Sequence, residues 1–315
     1  MGDIHRPVLV REVLDSFRAA AGERVFVDAT VGLGGHAHAI LERFPQASVV
    51  GIDIDSEAIS LCRRRLARYG DRAMTIRGSY QDLGSLLCGA GVRVADAILI
   101  DTGLSSYDIG TPGRGFSFSL DGPLDMRYSR TSQTRTARDV VNREHTASLR
   151  RILQDYGEVP FAGRVASAIA QARSVSPIET TGELVEIVKR SLGRRIGYGK
   201  LEGFLAKVFQ AIRISVNQEL DVLEAGLRQS IGLLASGGRL LVICYESLSH
   251  RLTKRVFREF ERGCVCPSES PVCICGRKPE VRILTKRAIT PSALEVAENS
   301  RSRSAGLRVL QRLHR

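Results

Sequence analysis

The sequence has no run of about 18 consecutive apolar residues, which is the length that a membrane-spanning helix requires. Its first residues also lack the apolar stretch of a secretory signal segment. We therefore expect no membrane span and a cytoplasmic location. No internal repeat is evident, and 315 residues are enough for one large domain or two smaller ones, each with an ample core.

Acidic residues are fewer than basic ones. The chain has 34 Asp and Glu residues against 46 Lys and Arg residues, which gives a formal net charge of +12. Such an excess favours a polyanionic partner, most simply a nucleic acid. An Arg-rich genome would produce the same bias, so the charge is consistent with an RNA or DNA substrate without identifying it.

A glycine-rich turn follows the first predicted strand. Residues 24–27 form a short β-branched and aromatic run that ends in Asp28, and helical periodicity begins at His36. The intervening loop carries three glycines: Gly32, Gly34 and Gly35. A turn of this kind between a strand and a helix lets a ligand approach the backbone closely.

Three further polar positions come at the ends of predicted strands. Asp53 ends the apolar run 48–52, about 20 residues after the glycines, where doubly wound sheets place an acid that binds ribose hydroxyls. Tyr80 lies within the polar segment 79–82, after a third strand at 73–77, and Asp101 ends the run 97–100. Open α/β sheets bind ligands at this carboxyl edge.

The charge of the loop discriminates between ligands. A dinucleotide site prefers G-x-G-x-x-G and a helix terminus that faces a pyrophosphate, whereas this loop is G-x-G-G and follows Asp28. An acid at that position would repel a pyrophosphate and suits a cationic ligand such as S-adenosylmethionine, so we favour this methyl donor over NAD. The alternative is that Asp28 only caps the turn.

The seven cysteines fall into two groups. Three lie in apolar contexts that predict core positions: Cys62, Cys88 and Cys244. The other four form two C-x-C pairs separated by six residues: Cys264, Cys266, Cys273 and Cys275. Two such strands joined by a turn could surround one structural zinc ion, although the usual zinc spacing is C-x2-C, and reduced cysteines in a hairpin are the alternative.

The order of the patterns predicts an α/β domain with an insertion. Strands and helices alternate from Arg24 to Asp101, and helical patterns then follow without strands until a long helix at 216–234 and a strand at 239–245. We predict a nucleoside-binding α/β domain at 1–106 and 208–315, with an all-helical domain at 107–207 inserted after the fourth strand. The tail of the chain is basic.

The chain resembles the bacterial family of small-subunit ribosomal RNA cytosine-N4 methyltransferases, known as MraW or RsmH, over nearly its whole length. The RGFSF and DGPLDMR segments are the most specific. The matching segments are His5 with Val8 and Leu9, 28–36, 101–106, 114–118, 121–127, 156–158, 209–214, 216–217, 219–220 and 299–304.

This resemblance implies a Rossmann-like class I methyltransferase sheet and S-adenosylmethionine-dependent methylation of one cytosine in the decoding centre of 16S rRNA, within the small ribosomal subunit. It also implies the cofactor contacts, which are Gly34, Gly35, His36, Asp53, Tyr80, Asp101 and Asp108. Tyr80 stands where the family usually has Phe, and Asp108 stands where it usually has Gln. Two segments depart further and each lose a His, namely 203–207 and 245–251.

Methyl transfer to cytosine N4 requires the base to be flipped, aligned and hydrogen-bonded at its amine. Asp101 is the candidate catalytic acceptor, although a role limited to cofactor binding is as plausible. Phe116 or Phe118 could stack the base, but packing is the commoner use of such a pair.

Two other functions stay open, a non-catalytic rRNA-binding assembly factor and, less favoured, an NAD-linked oxidoreductase. We also expect the inserted domain to grip rRNA through a basic loop that contains Arg190, Arg194, Arg195 and Lys200.

Overall fold

The computed structural model describes residues 7–17, 24–193, 197–264, 266–267, 271–272 and 274–314. Four residues named above lie outside these described residues: His5, Arg194, Arg195 and Cys273.

The described chain contains a seven-stranded sheet. Its strands are β1 (Arg24–Asp28), β2 (Ala47–Asp53), β3 (Ala73–Arg77), β4 (Ala95–Asp101), β5 (Leu234–Cys244), β6 (Val281–Ile283) and β7 (Gly306–Arg312). They are arranged in the order β3-β2-β1-β4-β5-β7-β6. Strands β1 to β5 pair in parallel, and β7 pairs antiparallel with both β5 and β6.

Both faces of this sheet are buried, which explains why its central strands are apolar at successive positions. Along β1, Phe26 packs in the core on one face and Val27 in the core on the other, and Leu99 and Ile98 of β4 divide in the same way. A parallel sheet needs helices on both faces, because each crossover connection places a helix against it.

The helices are numbered along the chain. Those in the sheet-containing part are α1 (Val10–Ser16), α2 (Gly35–Arg43), α3 (Ser56–Leu66), α4 (Leu83–Gly89), α11 (Glu219–Leu233), α12 (Ser247–Arg262) and α13 (Ala293–Glu298). Those between β4 and α11 are α5 (Ser106–Gly110), α6 (Ala137–Arg143), α7 (Thr146–Gly157), α8 (Ala162–Arg173), α9 (Thr181–Leu192) and α10 (Leu201–Asn217).

Contacts divide the chain into two compact units. The first comprises Met1–Gly103 and Leu220–Arg315, and the second comprises Leu104–Glu219. The sheet lies in the first unit and the second is helical, which confirms the predicted Rossmann-like sheet with an inserted helical domain. The helical unit extends beyond residue 207 because α10 packs against α6 and α7.

One predicted element is wrong in its extent. The single helix predicted over 216–234 is two helices, because Gln218 adopts a left-handed conformation with φ 51° between α10 and α11. Strand β5 then begins directly at Leu234 and includes Gly237, whose φ is 78°. In the described part of the chain, no helix is both long enough and apolar enough to cross a membrane.

Candidate active site

Three carboxylates meet at the carboxyl edge of the sheet. Asp28 ends β1, Asp53 ends β2 and Asp101 ends β4. Strand β1 lies between the other two, with Asp28 opposite Gly51 of β2 and Leu99 of β4. The three acids are close enough that the charges of Asp101 and Asp53 both raise the pKa of Asp28.

Asp28 is the most deeply buried of these acids, with 1% of its surface exposed. Its Oδ1 atom accepts a hydrogen bond from the Thr30 N–H at 3.3 Å, and its Oδ2 atom has no hydrogen-bond partner among the described residues. Burial, reinforced by Asp101 and Asp53, raises the pKa of Asp28 from 3.8 to about 8. The carboxyl is therefore mostly protonated at neutral pH in the structure as it stands, and it would ionise if a cation lay beside it.

Asp53 is tied to the glycine-rich loop. Its Oδ2 atom accepts a hydrogen bond from the Gly32 N–H at 2.8 Å, and its Oδ1 atom accepts one from the Asp55 N–H at 2.9 Å. These two backbone donors fix the orientation of the carboxylate. Each carboxylate oxygen has two lone pairs and can accept more than one hydrogen bond, as a contact with ligand hydroxyl groups would require.

The remaining loop residues hold helix α2 in place. Gly34 caps α2 with φ 76°, and a Cβ atom there would lie 2.9 Å from the Cys62 Sγ atom, so a side chain would be both strained and crowded. The buried His36 ring donates from Nε2 to the Val8 carbonyl at 2.8 Å, and burial lowers its pKa. The ring is thus neutral and structural, which leaves the backbone of Gly35 and His36 as the part that could face a ligand.

Asp101 is oriented from three sides. Its N–H donates to the Thr30 Oγ1 atom at 2.7 Å, which joins β4 to the glycine-rich loop. Its Oδ1 atom accepts from the Gly103 N–H at 3.1 Å, and its Oδ2 atom accepts from the Tyr245 hydroxyl at 3.4 Å. These contacts hold the carboxylate in one orientation, and each of its oxygens can accept more than one hydrogen bond.

Tyr245 was not predicted as a site residue. It follows β5, and its ring covers Gly103 so closely that a Cβ atom on Gly103 would lie 2.5 Å from the Tyr245 Cε2 atom. Burial and the charge of Asp101 raise the pKa of the Tyr245 hydroxyl, so it stays a hydrogen-bond donor. The signal available in the sequence was the position of Tyr245 at the carboxyl end of a predicted strand. In the structure that strand, β5, pairs in parallel with β4.

Tyr80 lies after β3 and is half-buried. Its ring packs against Gly226 of α11, where a Cβ atom would lie 2.3 Å from the Tyr80 Cδ2 atom. Gly226 is therefore a second position that sequence reasoning missed, because only a glycine allows the ring to approach the helix so closely. This aromatic position on the sheet edge is suitable for stacking a planar group.

Asp108 was expected to contact the cofactor. It lies in α5 within the helical unit and is 8% exposed. Its Oδ2 atom accepts from the Ser105 N–H and hydroxyl in a capping box, and its Oδ1 atom pairs with the Arg114 guanidinium at 3.0 Å. Both oxygens thus have partners within this unit, and a cofactor contact by Asp108 stays a prediction.

Phe116 and Phe118 are packing residues. Phe116 is 6% exposed and stacks on Tyr128 with ring centroids 5.6 Å apart, and Phe118 meets Phe209 edge to face at 5.9 Å. These contacts agree with the packing interpretation that was favoured from their spacing.

Of the four cations predicted to grip RNA, the described ones are Arg190 and Lys200. Both side chains are exposed on the helical unit, near the end of α9 and the start of α10.

The cysteines divide differently from the prediction. Cys62 and Cys244 are buried, as expected, and burial raises the pKa of each thiol to about 12. The prediction for Cys88 is wrong, because this residue lies exposed near the end of α4. The two predicted C-x-C strands do not form in the described residues, yet the Sγ atoms of three of these cysteines converge: Cys264, Cys266 and Cys275.

Comparison with known proteins identifies the family. Residues 3–313 match the MraW methylase family. Proteins named ribosomal RNA small subunit methyltransferase H are 44% identical in Geobacter sulfurreducens, covering 98% of this chain and 99% of that protein, and 38% identical in Finegoldia magna, covering 98% of each. A solved rRNA methylase from Streptococcus thermophilus is only 11% identical over 99% of this chain and all of its own, with a TM-score of 0.43, which is too distant to add weight. The chain therefore belongs to the MraW methylase family, and it is a methyltransferase that uses S-adenosylmethionine.

Proposed function

We propose that this protein transfers the methyl group of S-adenosylmethionine to N4 of one cytosine in the decoding centre of 16S rRNA, acting on the small ribosomal subunit. The observation that carries the proposal is full-length similarity to proteins named for methylation of small-subunit ribosomal RNA, combined with a carboxylate-lined site at the sheet edge. The net charge of +12 agrees with a polyanionic substrate.

The residues at the sheet edge fit a cationic nucleoside. Asp28 offers a buried oxygen without a partner among the described residues, and its neighbours are also acidic. A positive charge placed near these acids would relieve their mutual repulsion, whereas a pyrophosphate would increase it. We propose that Asp53 binds the ribose hydroxyls and that Tyr80 packs against the adenine.

The glycine-rich loop supplies the remaining proposed contacts. Gly34 and Gly35 open helix α2, so their backbone can lie close to a ligand without an intervening side chain. The His36 ring is occupied by the Val8 carbonyl, so we propose that His36 contributes its backbone only.

Asp101 is the proposed catalytic residue. S-adenosylmethionine, when bound, supplies an activated methyl group, so the protein has to position the cytosine amine and stabilise the positive charge that grows on it. A carboxylate that accepts a hydrogen bond from N4 would do both, and Asp101 is held ready by Gly103 and Tyr245. Tyr245 is a positioning residue in this scheme because it acts through Asp101.

The helical unit is proposed to hold the RNA backbone. Exposed Arg190 and Lys200 offer charges that are suited to phosphate contacts, which supply affinity and salt dependence rather than base selection. Arg194 and Arg195 belong to the same proposal but lie outside the described residues.

The direct test is methyl transfer to isolated small subunits. Purified protein is incubated with labelled S-adenosylmethionine and subunits from cells that lack this activity, and the modified nucleoside is identified by mass spectrometry of rRNA fragments. We expect one N4-methylcytosine in the decoding centre. Label at another base or another position would refute the specific proposal, and binding without transfer would favour the assembly-factor alternative.

The Asp101→Asn variant separates the two roles of Asp101. If Asp101 accepts the amine hydrogen bond, kcat should fall by about 100-fold while S-adenosylmethionine affinity changes by less than about threefold. If it serves only the cofactor, affinity should fall and kcat at saturation should be retained. Asp96→Asn, at the start of β4, is the matched control because its carboxylate anchors the Val25 N–H at the opposite end of the strand.

A further inference from the structure

Three cysteine thiols converge on one point near the end of α12. The Sγ atoms of Cys264, Cys266 and Cys275 all lie within 4.8 Å of one another, and those of Cys264 and Cys275 are 3.7 Å apart. We propose that these three thiols bind one zinc ion in a structural site that is independent of methyl transfer. The site joins the end of α12 to the segment that leads into β6.

The sulfur spacing matches zinc coordination. A Zn–S bond of about 2.3 Å in a tetrahedron places two sulfur ligands about 3.8 Å apart, close to the 3.7 Å between the thiols of Cys264 and Cys275. A disulfide requires about 2.05 Å instead. Binding would release the thiol protons, because the thiolate is the ligand, and a water molecule or a fourth side chain would complete the tetrahedron.

The backbone brings the two cysteine segments together. Gly263, with φ 69°, turns the chain directly after α12, and a Cβ atom there would lie 2.4 Å from the Lys278 carbonyl carbon. The returning segment is fixed by the Glu280 N–H, which donates to the Phe260 carbonyl at 3.0 Å. Cys264 and Cys275 therefore face each other across two segments that are already in contact.

The described apolar residues beside the cysteines do not explain this convergence by packing. Of the described apolar residues beside the cysteines, Val272 is 70% exposed and Ile274 is 88% exposed. The connection from α12 to β6 spans residues 263–280, and its described residues form neither a helix nor a strand. A long segment whose described residues form no regular structure is of the kind that a metal stabilises in small folds.

The local charge also suits a metal thiolate. Zinc with three thiolates carries one net negative charge, and the exposed side chains of Arg277 and Lys278 lie close by in sequence. Cys273 was grouped with these thiols from the sequence, but it lies outside the described residues and the proposal does not depend on it.

The test measures bound metal in the full-length protein. Protein produced in zinc-supplemented medium should contain about one zinc per chain by elemental analysis. In the double variant Cys264→Ser with Cys275→Ser, the zinc content per chain should fall by about tenfold or more. The control variant Cys88→Ser, which removes an exposed cysteine from α4, should keep its zinc. S-adenosylmethionine affinity, measured on the same preparations, reports whether the double variant has kept its fold.

The unmutated protein provides a second measurement that does not depend on any variant. Cobalt added to metal-free protein should produce the intense near-ultraviolet absorption of thiolate-to-metal charge transfer, and zinc should abolish it. The proposal is overturned if the protein takes up neither metal at micromolar concentration. It is also overturned if mass spectrometry under non-reducing conditions finds a disulfide between Cys264 and Cys275 in the purified chain.

Discussion

Replacing Asp28 by Asn tests whether the sheet edge is built for a positive charge. The amide has nearly the same shape as the carboxyl but cannot ionise. In the folded protein Asp28 holds its proton up to about pH 8, whereas in the unfolded chain it loses the proton near its ordinary value of 3.8. Between these values the folded state binds the extra proton, so this group lowers the free energy of unfolding as the pH rises.

The magnitude follows from the shift in pKa. One pKa unit corresponds to about 1.36 kcal/mol, so the cost reaches about 4 kcal/mol at pH 7 and levels off above about pH 8. The amide of the variant carries none of this cost, because it does not titrate. The free energy of unfolding of Asp28→Asn should therefore exceed that of the unmodified protein by an amount that grows by about 1.4 kcal/mol per pH unit between about pH 5 and 7.

Urea unfolding at about pH 6, 7 and 8, without cofactor, measures this difference. Asp96→Asn removes one negative charge from the other end of the same strand pair and corrects for general charge effects. The reasoning also predicts that Asp28→Asn weakens S-adenosylmethionine binding by about tenfold or more, because the cation loses its counter-charge. The idea that the sheet edge is built for a positive charge would be refuted by either of two results. One is a difference in the free energy of unfolding between Asp28→Asn and the unmodified protein that does not vary with pH, and the other is an unchanged cofactor affinity in the variant.

Three further variants test the rest of the site. Asp53→Ala should weaken S-adenosylmethionine binding by about 2–3 kcal/mol, the scale of hydrogen bonds to a charged group, and unchanged affinity in calorimetry would remove Asp53 from the ribose site. Tyr245→Phe removes the hydroxyl that donates to Asp101 and should lower kcat by about three- to tenfold while KM for the subunit stays constant; an altered KM with normal kcat would contradict a positioning role. Arg190→Ala combined with Lys200→Ala should flatten the slope of log affinity against log salt by about 1–2, with cofactor affinity unchanged, and an unaltered slope would mean that these residues do not contact phosphate.

Local patterns predicted the parallel strands β1 to β5 because these are short and apolar, whereas β6 and β7 were not predicted. The strand at 73–77 has the predicted bounds, and the acids at the ends of β1, β2 and β4 could be placed by counting alone. Parallel strands share one carboxyl edge, so their spacing in sequence was enough to bring Asp28, Asp53 and Asp101 together. A prediction of this kind needs only the period of each element and the order of the sheet.

Other features depend on contacts that no local pattern reports. Tyr245 meets Asp101 across 144 residues of sequence, and Gly226 accepts the ring of Tyr80 from a different helix. The break between α10 and α11 falls at Gln218, a left-handed residue that is neither glycine nor asparagine, so the helical period continues through it. Such details are decided by tertiary packing, and the sequence predicts the elements that carry them but not the contacts themselves.

We propose that the burial that makes ionisation of Asp28 costly also strengthens its attraction to a cationic ligand. In water a single carboxylate attracts a nearby cation by about 1 kcal/mol at 4 Å, because solvent screens the pair, and the attraction is several-fold stronger where the protein excludes water. Asp28 is 1% exposed, and its two acidic neighbours raise the cost of its ionisation further. Attraction to a positively charged ligand would offset the cost of ionising Asp28, whereas a neutral or anionic nucleotide would not offset it. We therefore propose that the three converging acids favour a cationic nucleoside over a dinucleotide at this site.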